Sequence, residues 1–298
     1  MRRRECVYVF YDDPKDIAEI GTSRLGGEPD LPLSVEWPKS LQEDAPHATS
    51  NFIAQIRLSD LPPIQDFSIP SNGHLWLFVT FCPRKGPELG LNAFFNGDTA
   101  NVLARRAAPA DAEWVLGEAI DAVPLRFEVG VSLPFGSIAF REALQDAIAK
   151  QRPSWEQLAE TIVPKGADGQ IGGFAFNSRG HDRARTTALR RLGRRELNSE
   201  HPWNNLAEME TSMARVPQYI RTPDELARWR ESFDPLRPGV EWIEQHLNEL
   251  SSWRLLIQLH PHIPAHFCIG DSWPLWVFGR SSEMAAGKFD GLAATSSP

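Results

Sequence analysis

Three short words occur twice in this chain, in the same order. "RLGGEPDLP", "FIAQIRL" and "GHLWLFV" occupy residues 24–32, 52–58 and 73–79; "QIGGFAF", "LLIQLHP" and "WPLWVFG" occupy 170–176, 255–261 and 273–279. Setting Gln55 against Gln258 keeps the strand parity, because Leu255, Ile257 and Leu259 then fall where Phe52, Ala54 and Ile56 fall. Gly27 and Gln55 are 28 positions apart and Gly173 and Gln258 are 85 apart, so the second copy carries a long insertion. With two copies only, the pattern points to an internal duplication and not to a solenoid.

The words themselves read as strands. In "NFIAQIRL", Phe52, Ala54, Ile56 and Leu58 alternate with Ile53, Gln55 and Arg57, as in a half-buried strand. "HLWLFVTF" (74–81) is apolar on both parities, as a strand covered on both faces requires. "PLRFEVGVSL" (124–133) alternates so cleanly that one of its faces should be wet. Helical periodicity marks 137–150, where Ser137 is a candidate N-cap, and capping-box spacing marks Ser154 with Gln157 and Thr222 with Glu225, the latter with Pro223 between them. "VEWIEQHLNELSSW" (240–253) reads as a helix running straight into the strand "RLLIQL".

The fold expected is therefore α+β and mainly β, with two pseudo-repeated β-rich halves and peripheral helices in one compact unit over 1–298. The halves span about 1–135 and 165–290, residues 174–252 hold a helical, Arg-rich insertion, and 291–298 form a flexible tail.

Composition narrows the class. Thirty-one Lys and Arg against 39 Asp and Glu leave a formal charge of -8, which argues against a general nucleic-acid binder. Cys6, Cys82 and Cys268 are odd in number and widely spaced, which suits a reducing compartment. The apolar run after "MRRREC" is too short for a secretory core and reads as a first strand; no run approaches a membrane span. The expected location is cytoplasmic, with no membrane partner.

Several residues bear chemistry worth weighing. Gly26-Gly27 matches neither GxGxxG nor a P-loop, and Glu28 and Asp30 beside it would repel a phosphate. The pair reads as a turn with positive φ, followed by chain stiffened by Pro29 and Pro32 on its way to Trp37. Arg24 is the residue in that stretch to test for binding. His260, His262, His266, Cys268 and Asp271 lie within twelve residues, and imidazole and thiolate suit zinc, though at no standard ligand spacing. No cofactor is expected, and zinc is the one candidate ion.

Segment 178–196 holds seven arginines and no lysine, among them Arg190, Arg191, Arg194 and Arg195, and Arg forks favour carboxylate or phosphate. An exposed helical insertion paired with the acidic remainder of the protein explains them more simply. Gln55 and Gln258 each place an amide on the less apolar parity of a strand, where it must bond loop backbone or line a pocket between the halves.

The same residues resemble the YwqG-like family, a bacterial group carrying a domain of unknown function. Ser23, Arg24, Gly26, Gly27, Pro29, Leu31, Pro32, Trp37 and Pro38 match its SR-x-GG-x-P-x-L-P…WP opening. Phe52, Ala54, Gln55, Ile56 and Leu58 match its second motif, and Gly73, Leu75 and Phe78 its third. Trp253, Leu255 to Leu259, Gly270 and Asp271 match its C-terminal strand and GD turn. The chain departs in reading "IGGFAFNSRG" where a Gly-Tyr-Pro-like motif follows the second glycine pair, and Ser-Trp-Pro after the GD turn. The resemblance implies a single mainly β unit with internal pseudo-symmetry and no established activity.

The functional expectation is a non-catalytic binding or protein-interaction module, with an immunity or toxin-associated role as a subtype and an unidentified protein as partner. No nucleophile, base and orienting group fall together in the sequence, while Trp and Arg, favoured at interfaces, are abundant. The alternative is an enzyme or metal-binding hydrolase using the His260–Asp271 segment with the carboxylates near Gly27.

Overall fold

The computed structural model describes residues 3–39, 49–81, 88–98, 102–109, 119–134, 163–175, 183–194, 197, 203, 206–214, 220, 222–269 and 272–296. The helices expected over 137–150 and from Ser154 lie outside these residues. The chain divides into two compact units, Met1–His181 with Arg254–Pro298, and Asp182–Trp253, where one unit was expected. The expected insertion over 174–252 overlaps the second.

The first unit is built on a closed barrel of ten strands. In chain order these are β1 (Arg4–Tyr11), β2 (Arg24–Leu25), β4 (Asn51–Arg57), β5 (His74–Phe81), β6 (Glu88–Asn96), β8 (Val123–Ser132), β9 (Gly169–Ile171), β10 (Trp253–Leu259), β11 (Leu275–Arg280) and β12 (Ala293–Ser296). Around the barrel they run β1-β8-β2-β4-β5-β6-β12-β11-β10-β9, returning to β1. A separate ribbon pairs β3 (Asp30–Pro32) with β7 (Leu103–Arg105). The architecture is mainly β, with a short helix, α6 (Ser281–Ala285), following β11.

Alternation sorts side chains to the two faces of the barrel wall. Val7, Val9, Leu25, Ala54, Ile56, Leu75, Leu77, Ile171, Ile257 and Val277 join one large core. Leu31, Phe52, Trp76 and Phe78 form a second cluster, with Trp37, Phe94 and Leu103 against it. β4 therefore differs from its expected half-buried pattern. A bulge between Phe52 and Ala54 shifts the register, so Phe52 turns to the second cluster while Ile53 and Ala54 join the first. Residues Asn51 to Ile56 are all buried.

On β8 the apolar face is only partly covered, and Val129 is exposed. The C-terminal residues also correct the sequence reading. Instead of a flexible tail, Ala293–Ser296 pairs with β11 on one side and β6 on the other, and all four residues are buried.

The second unit is helical among its described residues: α1 (Arg183–Arg191), α2 (Leu206–Ala214), α3 (Pro223–Glu231), α4 (Arg237–Gln245) and α5 (Leu247–Ser252). Thr222 caps α3 with the reciprocal Glu225 bond of a capping box and Pro223 in the first turn, as its spacing requires. The single helix expected over 240–253 is two. His246, at φ -105 and ψ 12, interrupts it, and its Nδ1 lies 2.8 Å from the Trp242 carbonyl. No helix among the described residues is long and apolar enough to cross a membrane.

Candidate functional site

The segment from Thr22 to Pro38 closes over the second cluster, and the geometry of its glycines explains how. Leu25, the last residue of β2, points into the main core, so the chain must leave the barrel at once. Gly26 and Gly27 do this at φ 61 and 69, a left-handed pair that side chains resist. A Cβ on Gly26 would stand 2.4 Å from Ile120 Cγ2 and 2.5 Å from the Asp121 carbonyl. The Gly26 and Gly27 amides bond the Ile53 and Ile120 carbonyls, both at 2.8 Å. Pro29 and Pro32 then carry the chain through β3 to Trp37, whose Nε1 donates to the Ser50 carbonyl at 2.9 Å and whose ring meets Phe78 edge-on.

Beneath this segment lies a buried polar cluster centred on Asp30. Its carboxylate accepts from the Gly21 amide (2.8 Å), Arg105 Nε (3.0 Å) and Gln55 Nε2 (3.3 Å). Arg24 Nη2 lies 2.5 Å from Oδ2, an ion pair. Arg24 and Asp30 are 1% and 0% exposed, whereas Arg105 reaches in from the surface at 30%. Arg105 also donates to the carbonyls of Ile17 and Glu19, which fastens the chain before β2.

Gln55 is fully used. Its Oε1 accepts from the Asp30 amide (2.8 Å) and Trp76 Nε1 (2.9 Å), and its Nε2 donates to the Thr22 carbonyl (3.1 Å) as well as to Asp30. Alongside, Ser23 Oγ donates to Asp60 (2.7 Å) and accepts from the Arg57 amide (2.9 Å), while Arg57 Nε holds Asp60 at 2.7 Å.

The electrostatics follow from this geometry. Burial pushes the Asp30 carboxyl up, but Arg105, the Gly21 amide, the Arg24 charge and the Gln55 amide outweigh it and leave it below its ordinary value. Burial lowers Arg24, with Arg105 adding to the effect and Asp30 and Glu28 opposing it. His74, stacked on Trp76 with Nε2 3.0 Å from the Gly21 carbonyl, is held below its ordinary value chiefly by burial. The charge on Asp30 is thus locked in place. A carboxylate so held is a poor proton donor or acceptor near neutral pH. Arg24, singled out in the sequence as a contact for a ligand, is instead an interior anchor of its own loop.

The histidine segment does not gather. A helical turn at Ile263–Ala265 follows His260 and His262, and His262 pairs with Phe267 across it. His260 Nε2 lies 2.9 Å from Gln258 Nε2, and burial depresses this imidazole against the opposing charge of Asp168. His262 meets Tyr11 edge-on at 5.0 Å between ring centroids. His266, at φ 58, places Nδ1 3.3 Å from Asp121, and Cys268 Sγ is 3.5 Å from Ser272 Oγ. Among the described residues no three His, Cys, Asp or Glu side chains come together as a metal ion needs, and Asp271 lies outside them.

Gln258 is fully buried and pairs across the ladder with Gln170, whose own Nε2 donates to the Gly172 and Phe174 carbonyls.

The sequence matches the family model described as a domain of unknown function, DUF1963, over residues 23–296. The chain belongs to the DUF1963 family. No curated protein matches it. The DUF1963 match opens at Ser23, inside the clasp that Asp30 organises.

The remaining candidates lie in the second unit of this DUF1963 chain. Arg190 and Arg191 fall in the last turn of α1, where the helix dipole favours cations. Arg183 is buried, and Arg185 donates to the Trp203 carbonyl at 2.8 Å. Arg194 lies over the Trp242 ring, which in turn stacks on His246 at 3.9 Å. Arg195 is outside the described residues. Sequence reasoning missed Arg105, Arg57 and Asp60. Arg105 meets Asp30 across 75 residues, and no local spacing announces such a partner.

Proposed function

We propose that this DUF1963 protein is a non-catalytic binding module of the YwqG-like type, acting in the cytoplasm on a protein partner, with immunity or toxin neutralisation as one form of that role. The observation that carries the reading is the state of Asp30: the one carboxylate of the glycine segment with a built environment is spent on holding the fold. The exposed apolar side chains add to it. Leu33 and Val102 are 64% and 69% exposed, and the β3–β7 register sets them opposite each other just beyond Pro32 and Leu103. Arg106, whose amide bonds the Pro29 carbonyl at the other end of the ribbon, reaches back so that its Nη2 donates to the Leu33 carbonyl at 3.0 Å. An apolar pair rimmed by Arg is a composition suited to an interface.

We also read the barrel as two repeated halves. The recurrent words and the matching left-handed pairs at Gly26-Gly27 (φ 61, 69) and Gly172-Gly173 (φ 68, 70) support that reading.

Native mass spectrometry of the chain purified from its own cells tests the binding role. The expected result is a stoichiometric protein partner that Leu33→Asp with Val102→Asp removes without changing the melting temperature. Turnover of a hydrolase substrate that His262→Ala or Asp30→Asn abolishes in a folded chain would overturn it.

A further inference from the structure

The repeat proposed above has a simple partition along the chain, but the hydrogen-bonded ladders follow a different one. β2 runs between β8 and β4, so Leu25 has Val123 on one side and Ala54 on the other. β9 runs between β1 and β10, so Ile171 has Val7 on one side and Ile257 on the other. If Leu25 corresponds to Ile171 and Ala54 to Ile257, then Val123 corresponds to Val7. The first strand of each repeat is thereby placed in the other repeat's sheet.

Three further contacts obey the same correspondence. The Gly26 amide bonds the Ile53 carbonyl at 2.8 Å, and the Gly172 amide bonds the Leu256 carbonyl at 3.1 Å. A Cβ on Gly27 would stand 2.7 Å from the Cβ of Ala122, the residue before Val123. A Cβ on Gly173 would stand 2.9 Å from the Cβ of Cys6, the residue before Val7. On the far side, Leu77 opposes Ala93 and Val277 opposes Ala294. The barrel then splits into two five-strand sheets in the same order, β8-β2-β4-β5-β6 and β1-β9-β10-β11-β12, joined at β1·β8 and β6·β12.

We infer that the barrel is a fused pair of five-strand units that have exchanged their first strands, as two copies of an ancestral chain would in a swapped dimer. The inference rests on the duplication and sharpens its boundaries. The repeats run from β1 to β6 and from β8 to β12, not over 1–135 and 165–290. Each unit is complete only with the strand its neighbour lends. The stretch from β6 to β8 is then the equivalent of a link from β12 back to β1, a link the native chain does not make.

Two full-length circular permutants test this. Both join the native termini with the same Gly/Ser linker of about 20 residues. One opens the chain within 110–118, between the units; the other opens it between Ser71 and Asn72, inside a unit between β4 and β5. The between-unit permutant should melt in one cooperative transition within ~5 °C of the native chain, and the within-unit permutant at least ~10 °C below it. Equal melting temperatures, the reverse order, or failure of the first to fold overturns the duplication.

The exchange is read separately, by non-reducing peptide mapping of Val7→Cys with Ile171→Cys in the intact chain. A 7–171 disulfide is expected, and its absence under oxidation would remove the strand exchange while leaving the permutant comparison standing.

Discussion

Asp30→Asn isolates the energetic core of the clasp. The substitution keeps the side-chain volume and removes one negative charge. Arg24, 1% exposed and 2.5 Å from the lost charge, is left with no described carboxylate at ion-pair distance. Breaking a buried pair by deleting one partner costs about 3–5 kcal/mol, and the figure belongs to Arg24, because Arg105 is partly solvated and its share is small. For a unit of this size that corresponds to a fall in melting temperature of roughly 6–20 °C.

Asparagine also offers an NH2 group where Gly21 N, Arg105 and Gln55 all donate, so at least one donor is orphaned. Adding Arg24→Leu should restore part of the loss, since removing both charges is far less costly than removing one. The pH profile gives an independent reading. The Asp30 pKa is depressed in the folded chain, so its contribution is complete above the unfolded carboxylate value and is lost as pH falls through the folded one. The native chain should therefore lose melting temperature as pH falls below about 4, and Asp30→Asn should lose less over that window. Differential scanning calorimetry from pH 7 to pH 2.5 measures all three. The reasoning is refuted if Asp30→Asn costs less than ~1 kcal/mol and Arg24→Leu fails to rescue it.

Gln55→Leu leaves Trp76 Nε1 and the Asp30 amide without their acceptor, and calorimetry should register a loss of about 2–4 kcal/mol from two unsatisfied buried donors. Gly26→Ala meets both a left-handed backbone and the Ile120 and Asp121 atoms, whereas Gly166→Ala at φ 83 meets the backbone penalty with nothing within 4 Å. Urea melts should show Gly166→Ala losing about 1–2 kcal/mol and Gly26→Ala clearly more. Thr222→Ala removes the capping box of α3; hydrogen exchange should show that helix loosening by about 1 kcal/mol while the barrel strands keep their protection.

How far the sequence reached depends on how local each signal was. Thr222, Pro223 and Glu225 form a complete cap within four residues, so the start of α3 could be read directly. β5, apolar on both parities, announced a strand covered on both faces. The double glycine announced a left-handed turn but not what required it, since Ile120 and Asp121 lie more than ninety residues away. The bulge in β4 was hidden because an extra residue leaves the composition unchanged and shifts only the pairing. The clasp was half visible. Gln55 stands out as an amide in an apolar strand, Asp30 as a carboxylate beside the glycine pair and Arg24 as its neighbouring cation, while Arg105, which donates to Asp30 from 75 residues away, lies in a run with nothing to mark it. The histidine segment shows the limit from the other side: closeness in sequence says nothing of convergence, and His260, His262, His266 and Cys268 meet Gln258, Tyr11, Asp121 and Ser272 respectively.

The seam between β6 and β12 has a consequence in time. β6 is complete once Asn96 has been made, but the strand that covers its far edge ends at Ser296. At roughly 5–20 residues per second of synthesis, that edge waits on the order of 10–40 s for its partner. β1 waits almost as long for β9. A growing chain therefore carries unpaired strand edges through most of its synthesis, and the barrel can close only when its last strand arrives.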